Sequence, residues 1–309
     1  MADLKTNLAD LVLPNPVLAA SGTYGFGREF ADLYPLSLPA AIMAKGITLT
    51  PTPGNLTPRI AETPAGMLNS IGLENPGTDA FIAVELPWLV SRGARVIANI
   101  SGHTAAEYEE ISRRLAQAQG LVAVEINISC PNVDCGGMAF GADPLLAAEV
   151  TRRVRKHCRL PLIVKLTPNV TDICLIAKAV AAEGADILSL INTLLGMAID
   201  ANTGRAVLAR AVGGLSGPAI KPVALRMVWQ AAQAVDLPII GMGGIVSAED
   251  AIEFFMAGAH AVAVGSGNLV NPYCIPEVLR GIDQWLDAHG YCSLDEIRGM
   301  ALPKTAQSR

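Results

Sequence analysis

Eight short apolar runs punctuate the chain, at 17–20, 41–44, 96–100, 122–128, 162–166, 187–191, 238–242 and 261–264, each ending in a small or polar residue. Such runs, bounded by polar residues, read as short buried strands. Amphipathic stretches with a helical period lie between them, at 105–119, 144–157, 171–183, 221–235 and 248–257, with Asp143, Thr171 and Ser247 placed as N-caps. Strand followed by helix, repeated eight times, predicts an α/β chain whose parallel strands close into a (β/α)8 barrel. A doubly wound sheet is the structural alternative, but it rarely needs eight such units, and no GxGxxG turn leads from the first run into a helix. The 309 residues are expected to form one TIM-barrel domain over 1–309, with inserted loops at the C-terminal face.

Charge and composition exclude several classes of partner. A formal net charge of −5 lacks the concentrated positive field that nucleic acid or an anionic membrane requires. The one dense basic run, Arg152, Arg153, Arg155, Lys156 and Arg159, reads as a solvated helix face. Mean hydropathy is +0.39, high enough to require a search for membrane spans. The longest uncharged stretch, 254–276, contains His260, Asn268, Asn271 and Pro272, so it reads as strand and loops, not as about 20 apolar helical residues. The first ten residues carry Asp3, Lys5 and Asp10 and have no signal-peptide pattern. Six cysteines without a CxxC pair are expected to stay reduced in the cytoplasm and to hold no iron–sulfur cluster.

Two connections are too long for plain loops, 46–75 and 192–217. Both follow strand C-termini, the catalytic face of a barrel, where long loops serve as lids or binding segments. The strand ends facing that pocket carry Ser21-Gly22, Lys45-Gly46, Asn99 with Ser101, Asn127 with Cys130, Lys165 with Thr167, Asn192-Thr193, Gly243-Gly244 and Gly265-Ser266. Glycines after strands seven and eight suit a phosphate, because bare backbone N–H groups approach it and a helix N-terminus near Ser247 favours negative charge. Lys45 and Lys165 interrupt apolar runs, where an unpaired ammonium is costly to bury, so each is expected to face an anionic ligand. Asn69, Asn99, Asn127, Asn132 and Asn192 offer paired donors and acceptors for a planar, amide-rich ring. The histidines are scattered without ligand spacing and none of these strand ends carries a carboxylate, so no metal site is expected. Cys130 begins a glycine-containing loop beyond strand four. A thiolate there, near lysine ammonium groups, would serve as a base, with Cys135 in the same loop as the competing candidate.

In combination, Lys45-Gly46, the run 55–59, MLNSIGL at 67–73, NISCPN at 127–132, KLT at 165–167, GLSGPAIK at 214–221, GMGGI at 241–245 and Gly265-Ser266 resemble dihydroorotate dehydrogenase, over about residues 4–288. The opening LPNPVLAASGTYGFGREF and the loop VDCGGMAFG are similar to the class 1B catalytic subunit in particular. The resemblance implies a flavin mononucleotide (FMN) barrel that oxidises dihydroorotate to orotate in pyrimidine biosynthesis. It implies that Cys130 is the base taking the C5 proton while a hydride leaves C6 for the flavin. Asn69, Asn127, Asn132, Asn192 and Thr193 would hold the substrate ring, beside Ser70, with backbone contacts to its carboxylate from Ile71, Gly72 and Leu73. Lys45 would lie between flavin and substrate, Gly46 would contact the flavin, and Lys165 would face the pyrimidine end of the isoalloxazine. Ser21, Asn99, Asn127, Ile191 and Gly217 would line the flavin, and Gly243, Gly244, Gly265 and Ser266 would take its phosphate.

The same resemblance implies that electrons leave through a second subunit carrying FAD and a [2Fe-2S] cluster and end on NAD, in a heterotetramer built on a catalytic homodimer. This chain has neither a dinucleotide fingerprint nor four suitably spaced cysteines to carry those groups itself. The alternatives are a class 1A-like, fumarate-dependent enzyme, a related flavin barrel on another dihydropyrimidine, a Schiff-base aldolase using Lys165 or Lys45 on a phosphosugar, and a non-catalytic phosphate-binding barrel.

Overall fold

Each of the eight apolar runs becomes a strand. The computed structural model describes residues 2–129, 131–132 and 138–303, the backbone alone at 131, 132 and 138. The strands are β1 (Val17–Ala19), β2 (Ile42–Met43), β3 (Val96–Ile100), β4 (Leu121–Asn127), β5 (Leu162–Leu166), β6 (Ile187–Leu190), β7 (Ile239–Met242) and β8 (Ala261–Val264). Every strand pairs in parallel with its neighbours in sequence, and β8 pairs with β1, so the sheet closes as a (β/α)8 barrel without an edge.

Parallel strands covered on both faces must be apolar at nearly every position, which is why the runs are continuous and not alternating. One set of alternate side chains, including Leu18, Met43, Ile97, Ile163, Ile187 and Ile240, fills the barrel. The other set, including Val17, Ile42, Val96, Val124, Val164 and Val262, meets the helices. Alanines 20, 41, 123, 261 and 263 keep the interior narrow enough for side chains to fill it. The hairpin of Thr6–Leu8 and Leu11–Leu13 adds Leu8, Leu11 and Leu13 to the interior cluster and plugs the end where the strands begin.

The helices are α1 (Leu86–Ser91), α2 (Ala105–Leu115), α3 (Pro144–Arg155), α4 (Ile173–Ala182), α5 (Lys221–Ala234), α6 (Ala248–Met256), α7 (Gly267–Val270) and α8 (Cys274–His289). Helix α1 is entered through a π-helical turn at Phe81–Glu85. After β1 the chain makes turns in place of a helix: Gly22, Gly25 and Gly27 take positive φ, and Tyr24 stacks on Phe30 with ring centroids 4.1 Å apart. Asp143 and Ser247 cap α3 and α6 as expected. The cap of α4 is Asp172 and not Thr171; its Oδ1 accepts from Cys174 N at 2.8 Å, because burial of Ile173 sets where the first turn begins. In the basic run, Arg153 and Lys156 pair with Glu109 on α2, and Arg155 pairs with Asp186. Among the described residues no helix is long and apolar enough to cross a membrane.

The two long connections are not loops. Strands Ile60–Thr63 and Gly66–Asn69 from the first join Leu194–Met197 and Val212–Ser216 from the second in one four-stranded antiparallel sheet on the C-terminal side of the barrel. Close approach there demands glycine: a methyl group on Gly66 would lie 2.3 Å from Ser216 O, and one on Gly214 would lie 2.1 Å from Thr193 Oγ1.

At the opposite end His260 is largely buried, and its Nδ1 accepts from Ile239 N at 3.3 Å. Burial, reinforced by the Arg298 charge and opposed by Asp295, pushes its imidazole down to about 4. The unfolded chain protonates this group near 6.5, so it binds more protons than the native state between pH 6.5 and 4, and stability falls as pH drops through that window. His260→Asn should flatten this part of the dependence of Tm on pH, measured by thermal unfolding at pH 7, 5.5 and 4.5. An unchanged slope would exclude His260 as its source.

Candidate active site

Alternation along a barrel strand sends every second side chain inward, so the last inward residue of each strand reaches the C-terminal pocket. On β3 that residue is Asn99, fully buried. Its Nδ2 donates to Glu125 Oε2 at 2.5 Å, while its Oδ1 is buried without a partner among the described residues, as is Ser101 Oγ just beyond. Gly46, leaving β2, keeps the space beside Asn99 open: a methyl group there would lie 2.8 Å from Asn99 Oδ1. On β5 Lys165 is 6% exposed, and its Nζ lies 3.5 Å from Ser21 Oγ at the end of β1. Lys45 is held below the usual lysine range by burial, with Glu74 acting in the opposite direction and Arg59 in the same one.

A second group gathers over β4 and β6. Asn192 Nδ2 donates to Asn127 Oδ1 at 3.1 Å and to Ser129 Oγ at 2.9 Å, and Asn192 Oδ1 accepts from Thr193 N at 2.8 Å. Asn127 is fixed from behind, where Tyr108 OH donates to its backbone oxygen at 2.6 Å. From the inserted sheet, Asn69 Nδ2 donates to Gly214 O at 3.2 Å, next to Thr193. Ser70 and Ile71 are pinned by Asn55, whose Nδ2 donates to Ser70 O and Oγ and whose N donates to Ile71 O. Gly72 and Leu73 both take positive φ, and Asn75 Nδ2 donates to Leu73 O.

A third group forms a glycine cradle. Gly217, Gly243 and Gly244 adopt φ of +101°, +125° and +79°, and a methyl group on Gly244 would lie 2.8 Å from Gly217 O. A methyl group on Gly243 would reach Ile191 Cγ1 at 3.3 Å. Gly265 and Ser266 lead into the short helix α7. The helix end near Ser247, expected to favour a phosphate, is instead occupied by its own capping box. Asp250 Oδ2 accepts from Val246 N and Ser247 N, each at 2.9 Å, and Asp250 Oδ1 accepts from Lys221 Nζ at 2.6 Å. A carboxylate already satisfies those two donors, so the amides of Val246 and Ser247 are not free for an anion.

These groups meet at one rim, as the sequence motifs require, and the family model described as Dihydroorotate dehydrogenase matches residues 3–286. The chain belongs to the dihydroorotate dehydrogenase family. It is similar, at 53% identity over 299 residues covering 97% of this chain and 96% of the relative, to a protein of Anoxybacillus flavithermus (strain DSM 21510 / WK1) named dihydroorotate dehydrogenase B (NAD(+)), catalytic subunit. A protein of the same name from Bacillus cereus (strain B4264) is 50% identical over 309 residues, covering all of both chains.

The rim fits the FMN that the dihydroorotate dehydrogenase resemblance implies. Buried acceptors that have no partner among the described residues, two lysines and a backbone cradle match the ring, charge and phosphate of that group. Cys130 and its competitor Cys135 lie outside the described residues. Asn132 is described in backbone only, in the strand Pro131–Asn132, which pairs with Met138–Ala139. Three groups that residue type at the strand ends does not reveal join the candidate site through hydrogen bonds: Glu125, Ser129 and Ser189. Glu125 had a signal, since it interrupts LVAVEIN as Lys165 interrupts LIVKL. Ser129 and Ser189 had none, because their roles depend on partners on other strands.

Proposed function

We propose that the chain oxidises dihydroorotate to orotate for pyrimidine synthesis, as the catalytic half of an NAD-linked assembly acting in the cytoplasm. The observation that carries the reading is the network joining Asn127, Ser129, Asn192 and Thr193 at the C-terminal ends of β4 and β6. An amide network of this kind matches a cyclic diamide substrate donor for acceptor, and its internal bonds hold each amide in one orientation before the substrate arrives.

FMN, when bound, supplies the acceptor for the hydride that leaves C6 of the substrate. Cys130 takes the proton from C5. Asn69, Asn127, Asn132, Asn192 and Thr193 hold the ring, and the backbone at Ile71, Gly72 and Leu73 takes the substrate carboxylate, beside Ser70. Lys165 offsets negative charge at the pyrimidine end of the flavin, Lys45 lies between flavin and substrate, and Gly46 contacts the flavin. Ser21, Asn99, Asn127, Ile191 and Gly217 line the flavin, while Gly243, Gly244, Gly265 and Ser266 hold its phosphate. Residues 1–309 act as one FMN-binding domain.

The relatives are named catalytic subunits, which supports a partner chain. That partner carries FAD and a [2Fe-2S] cluster and passes electrons to NAD, in a heterotetramer built on a catalytic dimer. Exposed Leu195, Met197, Ile199 and Val212 on the inserted strands favour a chain that works in an assembly.

The test is the visible spectrum of the purified chain under anaerobic conditions. Flavin bands should bleach when dihydroorotate is added, and the isolated chain should reduce NAD hardly at all. Bands that persist would move the substrate to another dihydropyrimidine. A colourless protein that takes up no FMN would overturn the flavin reading, and brisk NAD reduction would overturn the need for a partner.

A further inference from the structure

Glu125 sits inside the barrel on β4, fully buried, and among the described residues it makes no ion pair. Two hydrogen bonds hold it: Asn99 Nδ2 donates to Oε2 at 2.5 Å, and Ser189 Oγ donates to Oε1 at 2.6 Å. A buried carboxylate without a cation is expensive compared with an apolar residue of similar size. The barrel core gains nothing from it, so its use is sought in the pocket directly above.

A carboxylate only accepts. The edge of the Asn99 amide that faces Glu125 must therefore be its NH2, and the amide oxygen must point the other way. That oxygen is buried without a partner among the described residues, beside the gap that Gly46 leaves open. Resting on the FMN reading above, we propose that Glu125 is a positioning residue: it fixes the Asn99 amide so that Oδ1 faces the flavin as acceptor for the ring N3–H. N3–H is the single donor of the oxidised isoalloxazine ring. The reversed amide would offer NH2 to a flavin carbonyl, and this is the arrangement that Glu125 forbids.

The experiment titrates FMN into each apoprotein, follows quenching of flavin fluorescence, and records thermal melting alongside. In Glu125→Gln the new amide can accept from Asn99 or donate to it, and Ser189 suits either case. The competent orientation then falls to about half, and Kd for FMN rises only about twofold. Asn99→Asp sets two carboxylates against each other with no donor between them, and Kd should rise about 100-fold or more. Combining the two changes restores one donor: the amide introduced on β4 gives its NH2 to the carboxylate introduced on β3, whose other oxygen still faces N3–H. The double variant should recover to within about tenfold of wild type. If Asn99 instead offered its NH2 to the flavin, the double variant would stay as weak as Asn99→Asp, because aspartate cannot donate, and the proposal would be overturned.

A loss of about 100-fold in Glu125→Gln alone would tie affinity to the charge and also overturn it. Should Asn99→Asp not fold, the double variant is compared with wild type and with Asn99→Ala, and affinity no better than that of Asn99→Ala counts against the proposal. Wild type should bind 3-methyl-FMN at least about 100-fold more weakly than FMN, and equal binding would remove the N3–H assignment. Failure of wild type itself to bind FMN would overturn the cofactor reading, a result separate from any of these.

Discussion

Replacing Cys130 with alanine should lower the rate of dihydroorotate oxidation by about 10²–10⁴ while leaving FMN bound. The proton at C5 of a dihydropyrimidine ring is weakly acidic, and without a positioned base its removal falls to water. Of the flavin contacts expected above only Asn127 shares the end of β4 with Cys130, so the bound spectrum should keep its bands while bleaching by substrate slows. Because the thiolate is the active form, kcat/KM should rise with pH until the thiol is ionised and then level off. Cys135→Ala is expected to retain activity. Stopped-flow reduction of both variants decides between them, and loss in Cys135→Ala with retention in Cys130→Ala would reverse the roles.

Gly244→Ala should empty the protein of flavin. At φ +79° an L side chain is strained before any contact is counted, and the added methyl group would lie 2.8 Å from Gly217 O, 2.8 Å from Lys221 Cβ and 3.0 Å from Lys221 N. Two of these three are backbone atoms, which cannot swing aside, so the cradle must open to admit the methyl group. The expected result is a protein purified without visible colour, with Kd for FMN raised about 100-fold or more, equivalent to about 2.7 kcal/mol. Gly204→Ala is the control: its φ is +67° and nothing lies within 4 Å of the added carbon, so it should bear the backbone strain and keep its flavin. Equal colour in the two variants would remove the cradle from the phosphate site.

Much of the fold was legible because its signals are local. The eight apolar runs became the eight strands with ends shifted by a residue or so, as in 122–128 against Leu121–Asn127. The five helical periods became helices, and two of three proposed caps hold. The cap at 171 failed because Thr and Asp compete at adjacent positions, and burial of Ile173 decides between them. The insertions were recognised by length and position, but their strands were not. Gly214 pairs with Asn69, and no periodicity within either segment reports a partner 145 residues away.

The candidate site divides in the same way. Lys45, Lys165 and the asparagines were found from residue type at strand ends, since a polar group interrupting an apolar run must be answered by a ligand or a partner. At the helix end near Ser247 a capping box and an open anion site begin with the same serine, and only the Asp250 contacts show that the amides of Val246 and Ser247 belong to the capping box.

By itself the sequence determined the barrel, the strand ends that build the rim, and membership of the dihydroorotate dehydrogenase family, because alternation, capping and motif chemistry are written in neighbouring residues. Tertiary structure alone decided that the insertions share one sheet, that Asn127, Ser129 and Asn192 form one network, and which way the Asn99 amide faces. Each of these depends on hydrogen bonds between strands far apart in the chain, and a hydrogen bond is specified by both of its ends.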